Sequence, residues 1–289
     1  MASSPQLKVG EEEEDTGRCR RKVTFGYHLA EGKMPHGMED RHVAVLRRLN
    51  DGNEVGLFAV FDGHAGSNVA TYLRNHLFDE ILSEPGFFPH PDSDDDTTIA
   101  AIRRAYDRTD RKLLQNQTYN DDGSGSTAVT AILINGNKLV VANVGDSRAV
   151  ACDAGSGRAR QLSVDHEPVG REREAVEGRG GFVVEFQGDV PRVDAQLAMS
   201  RAFGDAGVKE HISADPDVRV EEDVGGVEFV VVASDGVWKV MSNQEAVDVV
   251  RRRGMAGGDD AREAAVEIVR EAVGRGSTDD IACVVVRLR

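Results

Sequence analysis

Four short valine-rich runs in this chain each end or begin at an acidic residue, and no other feature constrains the fold as much. Leu57–Phe61 runs into Asp62-Gly63-His64, and Phe229–Ala233 runs into Ser234-Asp235-Gly236. Ile281–Val286 begins directly after Asp279-Asp280, and His42–Leu46 directly after Glu39-Asp40. If strands that end at an acid lie antiparallel to strands that begin at one, all four acidic positions reach the same edge of the core. Carboxylates crowded in a partly buried place repel, so several must be protonated or neutralised. Read singly, an Asp-Gly after a strand is a turn, and an Asp-Asp is a helix cap or a solvated loop. Read together, with His64 two residues beyond Asp62, they admit a second reading: a site for hard divalent cations. Mg²⁺ and Mn²⁺ prefer carboxylate, carbonyl and water oxygens, and two such ions about 3.5–4 Å apart can share one bridging carboxylate.

The rest of the pattern is helices and hairpins. Apolar runs over 43–49, 55–61, 128–134, 138–144, 147–152, 228–233 and 281–288 read as strands. Asn135-Gly136 is a two-residue hairpin turn, and Gly145-Asp146 separates the next two runs. A helix over 67–82 places Val69, Leu73, Leu77 and Ile81 on one face, with Ser67 as its N-cap. A second, over 98–114, carries Ile99, Ile102, Tyr106 and Leu113. Ser242 and Glu245 form a capping box that opens a helix to Arg253, stopped by Gly254. The last, over 260–273, stacks Ala264, Ala265, Ile268, Val269 and Ala272 before Gly274. Because helices do not alternate strictly with strands, antiparallel sheets with helices packed outside are expected.

Composition narrows the function classes. A chain of 289 residues, 40% apolar and 29% charged, has room for one large domain or two modest ones. Its 35 basic and 50 acidic side chains give a net charge of −15, which speaks against a nucleic-acid partner, since such binding needs clustered Lys and Arg. The acidity suits either a solvated surface or the gathering of cations. No apolar stretch approaches the roughly 18–20 residues of a membrane span, so no membrane partner is expected. Cys19, Cys152 and Cys283 lie far apart and form no metal-knuckle spacing, which points to a reducing, intracellular setting. Residues 1–21 read as a disordered tail, with the acid run Glu11–Asp15 and then Arg18, Arg20 and Arg21. Those cations, with Lys22, read as a nuclear address or as a solvated cluster, so cytoplasm and nucleus both stay open. Residues 83–98 read as a surface loop. The triplet Arg251-Arg252-Arg253 falls in the last turn of a helix, where cations complement the dipole, a better reading than a phosphate site.

The segments GMED (37–40), FAVFDGHAG (58–66), GSTA (125–128), VANVGDSRAV (141–150), LSVDHEP (162–168), LAMSRAFGD (197–205), VVVASDGVW (230–238) and GSTDDIACVVV (276–286) carry a resemblance. In this order, over nearly everything after residue 22, they resemble the metal-dependent serine/threonine protein phosphatase family, type 2C, and above all its compact plant members. The resemblance implies an α+β fold, a four-layer α-β-β-α sandwich of two central antiparallel sheets flanked by helices, as one catalytic domain over 22–289. It implies two Mg²⁺ or Mn²⁺ ions bridged by Asp62. Glu39 and the main-chain carbonyl of Gly63 would hold one ion, and Asp235 and Asp279 the other. Asp40 would orient waters or ligands from behind, and Asp280 stands where the family usually has Asn. Asp146 would serve a third, weaker ion with an acid four residues after Asp235. That position is Lys239 here, so two ions are expected and the ammonium repels a third or stands in for it.

The implied activity is hydrolysis of phosphoserine and phosphothreonine in proteins by a water that the two ions activate. The buried runs around Cys152 and Cys283 suit inert thiols, and the chemistry needs no cysteine nucleophile. His64 is the expected proton donor to the leaving oxygen, with metal ligand and structural residue as competing readings. Many members grip the phosphate with an Arg at the position of Pro35. Lys33 would have to substitute, as a flexible point charge and not a bidentate fork, or else Arg41, which also reads as a structural residue. Residues 168–193 match the family's flap beside the cleft, or are a solvated loop. Two other readings stay open: an adaptor that binds phosphoproteins or kinases without turnover, and a hydrolase of small phosphate esters. Phosphoprotein substrates, kinases as further partners and a monomeric state are expected.

Overall fold

A strand covered on both faces loses the alternation of apolar and polar residues, and the unbroken valine runs of this chain are strands of that kind. The computed structural model describes residues 22–88, 95–121, 123–255 and 260–288. The chain enters through β1 (Val23–Ala30), crosses a loop bearing Glu39 and Asp40, and forms β2 (Arg41–Arg48) and β3 (Glu54–Phe61). The two-residue β4 (Gly63–His64) precedes α1 (Asn68–Leu82), α2 (Asp95–Gln115) and α3 (Gln117–Asp121). Then come β5 (Gly125–Ser126), β6 (Ala128–Ile134), β7 (Lys138–Val144), β8 (Arg148–Asp153) and β9 (Ala159–Gln161). An excursion carries α4 (Gly170–Gly178), β10 (Val183–Val184) and β11 (Arg192–Val193). It returns through β12 (Phe203–Gly204) and β13 (Asp217–Glu221) to β14 (Val227–Ala233). One turn of α5 (Asp235–Trp238), then α6 (Asn243–Met255) and α7 (Ala261–Gly274), lead to β15 (Ile281–Leu288).

Two five-stranded antiparallel sheets result, ordered β1-β15-β14-β8-β9 and β13-β7-β6-β3-β2. Alternate residues of each strand feed different cores. From β15, Ala282, Val284 and Val286 face the core between the sheets, with Phe58 and Val60 of β3 opposite. Ile281, Cys283 and Val285 face the other way, onto Val247 and Val250 of α6 and Ala265 and Ile268 of α7. Leu57, Ala59 and Phe61 of β3 pack under Leu73 and Leu77 of α1 and Ile102 and Tyr106 of α2. This is the α-β-β-α sandwich. Each fully buried Leu or Phe in it contributes roughly 1.5–3 kcal/mol of apolar transfer. Among the described residues no helix is long and apolar enough to cross a membrane.

Register brings the acids to one edge. Arg41 lies opposite Phe61, so Asp40 and Asp62 leave the second sheet side by side. Ala233 lies opposite both Cys283 and Arg148, which places Asp235, Asp279 and Asp146 at the matching end of the first sheet. The chain crosses between the sheets at Gly145-Asp146, so these residues are a crossover and not a hairpin.

Several element boundaries differ from expectation for local reasons. The hairpin at Asn135-Gly136 is present, with φ of 51° and 70°. The capping box is complete, since Ser242 N–H donates to Glu245 Oε2 at 2.9 Å and Glu245 N–H donates to Ser242 Oγ at 3.3 Å. Ser67 precedes α1 but makes no side-chain cap bond. α2 starts at Asp95 rather than 98, because Asp95 and Asp96 favour the positive end of the helix dipole. α6 runs through Gly254 to Met255. β1, β9 and β13 have no counterpart among the expected strands. The expected tail 1–21 lies outside the described residues, as does 89–94 of the expected loop.

Candidate metal centre

At the shared edge, one carboxylate oxygen each from Asp62, Asp146 and Asp235 lie within 4.8 Å of one another. Three anions at that spacing are unfavourable unless protons or cations intervene. Burial, then the charges of Asp40 and Asp235, hold Asp62 well above the usual carboxylate range. Burial and Asp235 push Asp146 up to about 7, against the pull of Lys239. Asp235 is likewise raised by burial, with Lys239 opposing. Behind them Asp40 is 1% exposed. Neither of its oxygens, nor Asp146 Oδ1, meets a donor in good geometry among the described residues. Burial pushes Asp40 up to about 8; Ser234 pulls it down, while Asp235, Asp280 and Asp279 add to the rise. Buried oxygens without donors, facing further carboxylates, are a donor set suited to hard divalent cations.

The other expected ligands stand around this triad rather than within it. Glu39 is nearly buried, and its Oε1 accepts the Gly66 N–H at 2.6 Å. His36 Nδ1 lies 3.3 Å from Glu39 Oε2. Asp279 is half-exposed, and the Lys239 ammonium pairs with both Asp235 Oδ2 and Asp279 Oδ2, the latter at 3.2 Å. Gly63 sits in β4 opposite Ser126. Asp280 is not solvated: its Oδ1 accepts the Gly32 N–H at 2.7 Å and its Oδ2 the Glu39 N–H at 2.6 Å. One carboxylate therefore pins both ends of the loop that carries Lys33, His36 and Glu39.

The two expected phosphate contacts separate. Arg41 spends its guanidinium on the carbonyls of Met38 and Asp40, both at 2.9 Å, and on Thr71 Oγ1 at 3.2 Å. These bonds, made through Nε and Nη1, brace the Glu39-Asp40 turn. Lys33 has its main-chain N–H on Thr278 O at 2.8 Å, and its side chain is exposed beside the site.

His64 has a partner that no motif announced. Its Nε2 lies 2.8 and 2.9 Å from the two oxygens of Asp205. Burial lowers the His64 pKa, but the charge and hydrogen bond of Asp205 outweigh it and the net shift is upward. His64 Nδ1 is buried and has no partner among the described residues. Asp205 is itself placed by main chain, with φ of 53° and its N–H on Ser124 O at 3.1 Å. Gly204 before it donates to Asp110 of α2 at 2.9 Å, and Lys209 neutralises Asp110 at 3.1 Å. Only glycine fits at 125, where a Cβ would stand 2.1 Å from Asp205 Oδ2 and 2.3 Å from His64 Nε2. The signal was the Gly-Asp that closes LAMSRAFGD, which alone reads as a turn.

Residues 168–193 form α4 and the β10-β11 ribbon over a small core that includes Val176, Val193 and Ile212. Glu172 anchors α4 by pairing with Arg201 at 2.6 Å. Phe182, Phe186 and Val190 stay exposed. Far from the site, Arg253 pairs with Glu267 at 2.7 Å, in keeping with a structural reading of the arginine triplet. Cys152 and Cys283 are buried free thiols, and burial holds both well above the ordinary thiol range; Cys19 lies outside the described residues.

Comparison with known proteins gives a consistent picture. The family model described as Protein phosphatase 2C matches residues 30–281. The Arabidopsis thaliana protein named "Probable protein phosphatase 2C 28" is 52% identical over 94% of this chain and 76% of its own length. "Probable protein phosphatase 2C 39", also from Arabidopsis thaliana, is 50% identical over the whole of this chain and 97% of its own. Among solved structures, a serine-threonine phosphatase 2C from Toxoplasma gondii superposes with a TM-score of 0.79 at 24% identity, covering 95% of this chain and 96% of that one. That likeness is one of fold.

Proposed function

The chain belongs to the protein phosphatase 2C family, and on that premise we propose that its acidic edge is a dinuclear Mg²⁺ or Mn²⁺ centre that removes phosphate from phosphoserine and phosphothreonine in proteins. The observation that carries this reading is the convergence of Asp62, Asp146 and Asp235 near the buried Asp40, whose oxygens have no well-aligned donor among the described residues. Asp62 would bridge the ions. Glu39 and the Gly63 carbonyl would hold one, Asp235 and Asp279 the other, and the position of Asp146 makes it a further candidate ligand. When bound, the cations offset the charge of a phosphomonoester dianion and make water a nucleophile near neutral pH.

The protein's own groups do the rest. Asp280 and Arg41 fix the loop and turn that present Glu39 and Asp40. Asp205 holds His64 through Nε2, so in the protonated imidazolium the Nδ1–H would be the proton given to the serine or threonine oxygen. Lys33 is the remaining cation of the original pair that is free to approach the phosphate. The substrates are phosphoproteins. The adaptor reading would call for loss of these carboxylates, and all are present and brought to one edge. Hydrolysis of a phosphopeptide with and without Mn²⁺ tests the proposal. Turnover should need the metal, and Asp62→Asn should lower it by more than about a hundredfold, beyond the usual cost of removing an outer-shell group. Metal-independent turnover, or full activity in Asp62→Asn, contradicts the assignment.

A further inference from the structure

We propose that Lys239 is a built-in counter-cation of the acidic centre: it ties Asp235 to Asp279 in the metal-free protein and competes with divalent ions for those two carboxylates. The proposal rests on the metal centre proposed above and adds what sets its affinity.

The geometry is local and specific. Asp235 opens α5, and Lys239, four residues on, caps it with its N–H on Asp235 O at 2.8 Å. One turn of helix therefore brings the ammonium back over the Asp235 carboxylate, where the two form an ion pair. The same ammonium lies 3.2 Å from Asp279 Oδ2, at the start of the neighbouring strand. α5 is held to its own strand by Trp238 Nε1–H on Ala233 O at 2.9 Å, so the lysine backbone stays fixed and only its stem can swing. Its side chain is 57% exposed, which leaves an open route to solvent.

Two consequences follow. Without metal, one cation holds together two acids, one opening α5 and one in the loop before β15, that would otherwise repel. With metal, the same cation must be displaced or endured at close range, and both weaken binding. Two half-exposed ion pairs of this kind are worth roughly two- to thirtyfold in an equilibrium constant. Lys239 thus sets the affinity for the ion that Asp235 and Asp279 share, besides repelling any third ion near Asp146.

Titration calorimetry with Mn²⁺ on the full chain tests this, together with thermal melting in chelator and in saturating Mn²⁺. Lys239→Met should tighten the weaker Mn²⁺ step by roughly tenfold, lower the Tm in chelator and enlarge the rise in Tm on adding Mn²⁺. Lys239→Arg, which keeps the charge, should bind within about threefold of wild type. Lys239→Gln, run alongside as a second uncharged variant, should repeat the Met result. Unchanged or weaker Mn²⁺ binding in the uncharged variants, with wild type giving normal heat, overturns the role of Lys239 alone. No heat from wild type overturns the metal centre and this proposal with it.

Discussion

Asp40 shows what the centre requires. A carboxylate that deep, with no well-aligned donor on either oxygen among the described residues, must either bind a proton or answer to a cation a few ångströms away. Asp62 and Asp146 are likewise pushed upward, by burial and by the neighbouring carboxylates. His64 is the counterpart on the proton side, its pKa raised because Asp205 outweighs burial. Asp205→Asn should therefore act through His64. It should lower kcat by roughly ten- to a hundredfold on a phosphopeptide, less than the roughly 10²- to 10⁴-fold worth of general acid catalysis itself, because His64 is still present. It should cost much less on p-nitrophenyl phosphate, whose leaving group needs little help from an acid. Equal losses on both substrates would make Asp205 merely structural. At this scale the sequence displayed Glu39, Asp62, Asp235 and Asp279, because each sits at the end of an apolar run. It hid the role of Asp205, whose Gly-Asp looks like any turn, and it undervalued Asp146, which joins the triad only because the chain changes sheets there.

Elements turn those residues into a site. Asp280, at the start of β15, accepts from Gly32 and Glu39 and so joins the first sheet to the loop leading into the second. An Asn there could keep only one of these bonds, since its amide nitrogen does not accept. Asp280→Asn should weaken Mn²⁺ binding by roughly tenfold, in the range found for residues that orient ligands. Asp280→Ala should do more and also destabilise the fold by about 1–3 kcal/mol, through two stranded N–H groups. Equal behaviour of the two variants would refute the clasp. Central strands such as β3, β14 and β15 were legible because burial on two faces enriches them in valine. β1 and β13 were not. As sheet edges they are half-covered and carry charged or polar residues such as His28, Asp217 and Arg219, which blur the apolar signal.

At the scale of the molecule, four layers place an acid cluster at one edge of a chain that already carries a net charge of −15. The metal-free protein should therefore resent high pH. Asp40 and Asp146 sit near 8 and 7 when folded, against 3.8 for an ordinary Asp. Over that window the folded state holds protons that the unfolded chain has released, so stability falls as pH rises. Acids paired with arginine, such as Glu84 and Glu172, are shifted downward and act at lower pH. In chelator, Tm should drop between about pH 5 and pH 8, and saturating Mn²⁺ should flatten or reverse that slope, since metal binding displaces the protons. A Tm in chelator that rises across the same range would mean the carboxylates are not crowded as described.

The most direct test of the whole account is the stoichiometry of Mn²⁺ binding to the intact chain, measured by calorimetry beside Asp62→Asn. Two ions per chain in the wild type, with both steps weakened when the shared Asp62 loses its charge, is the expected outcome. Absence of binding, or binding indifferent to Asp62, would contradict it.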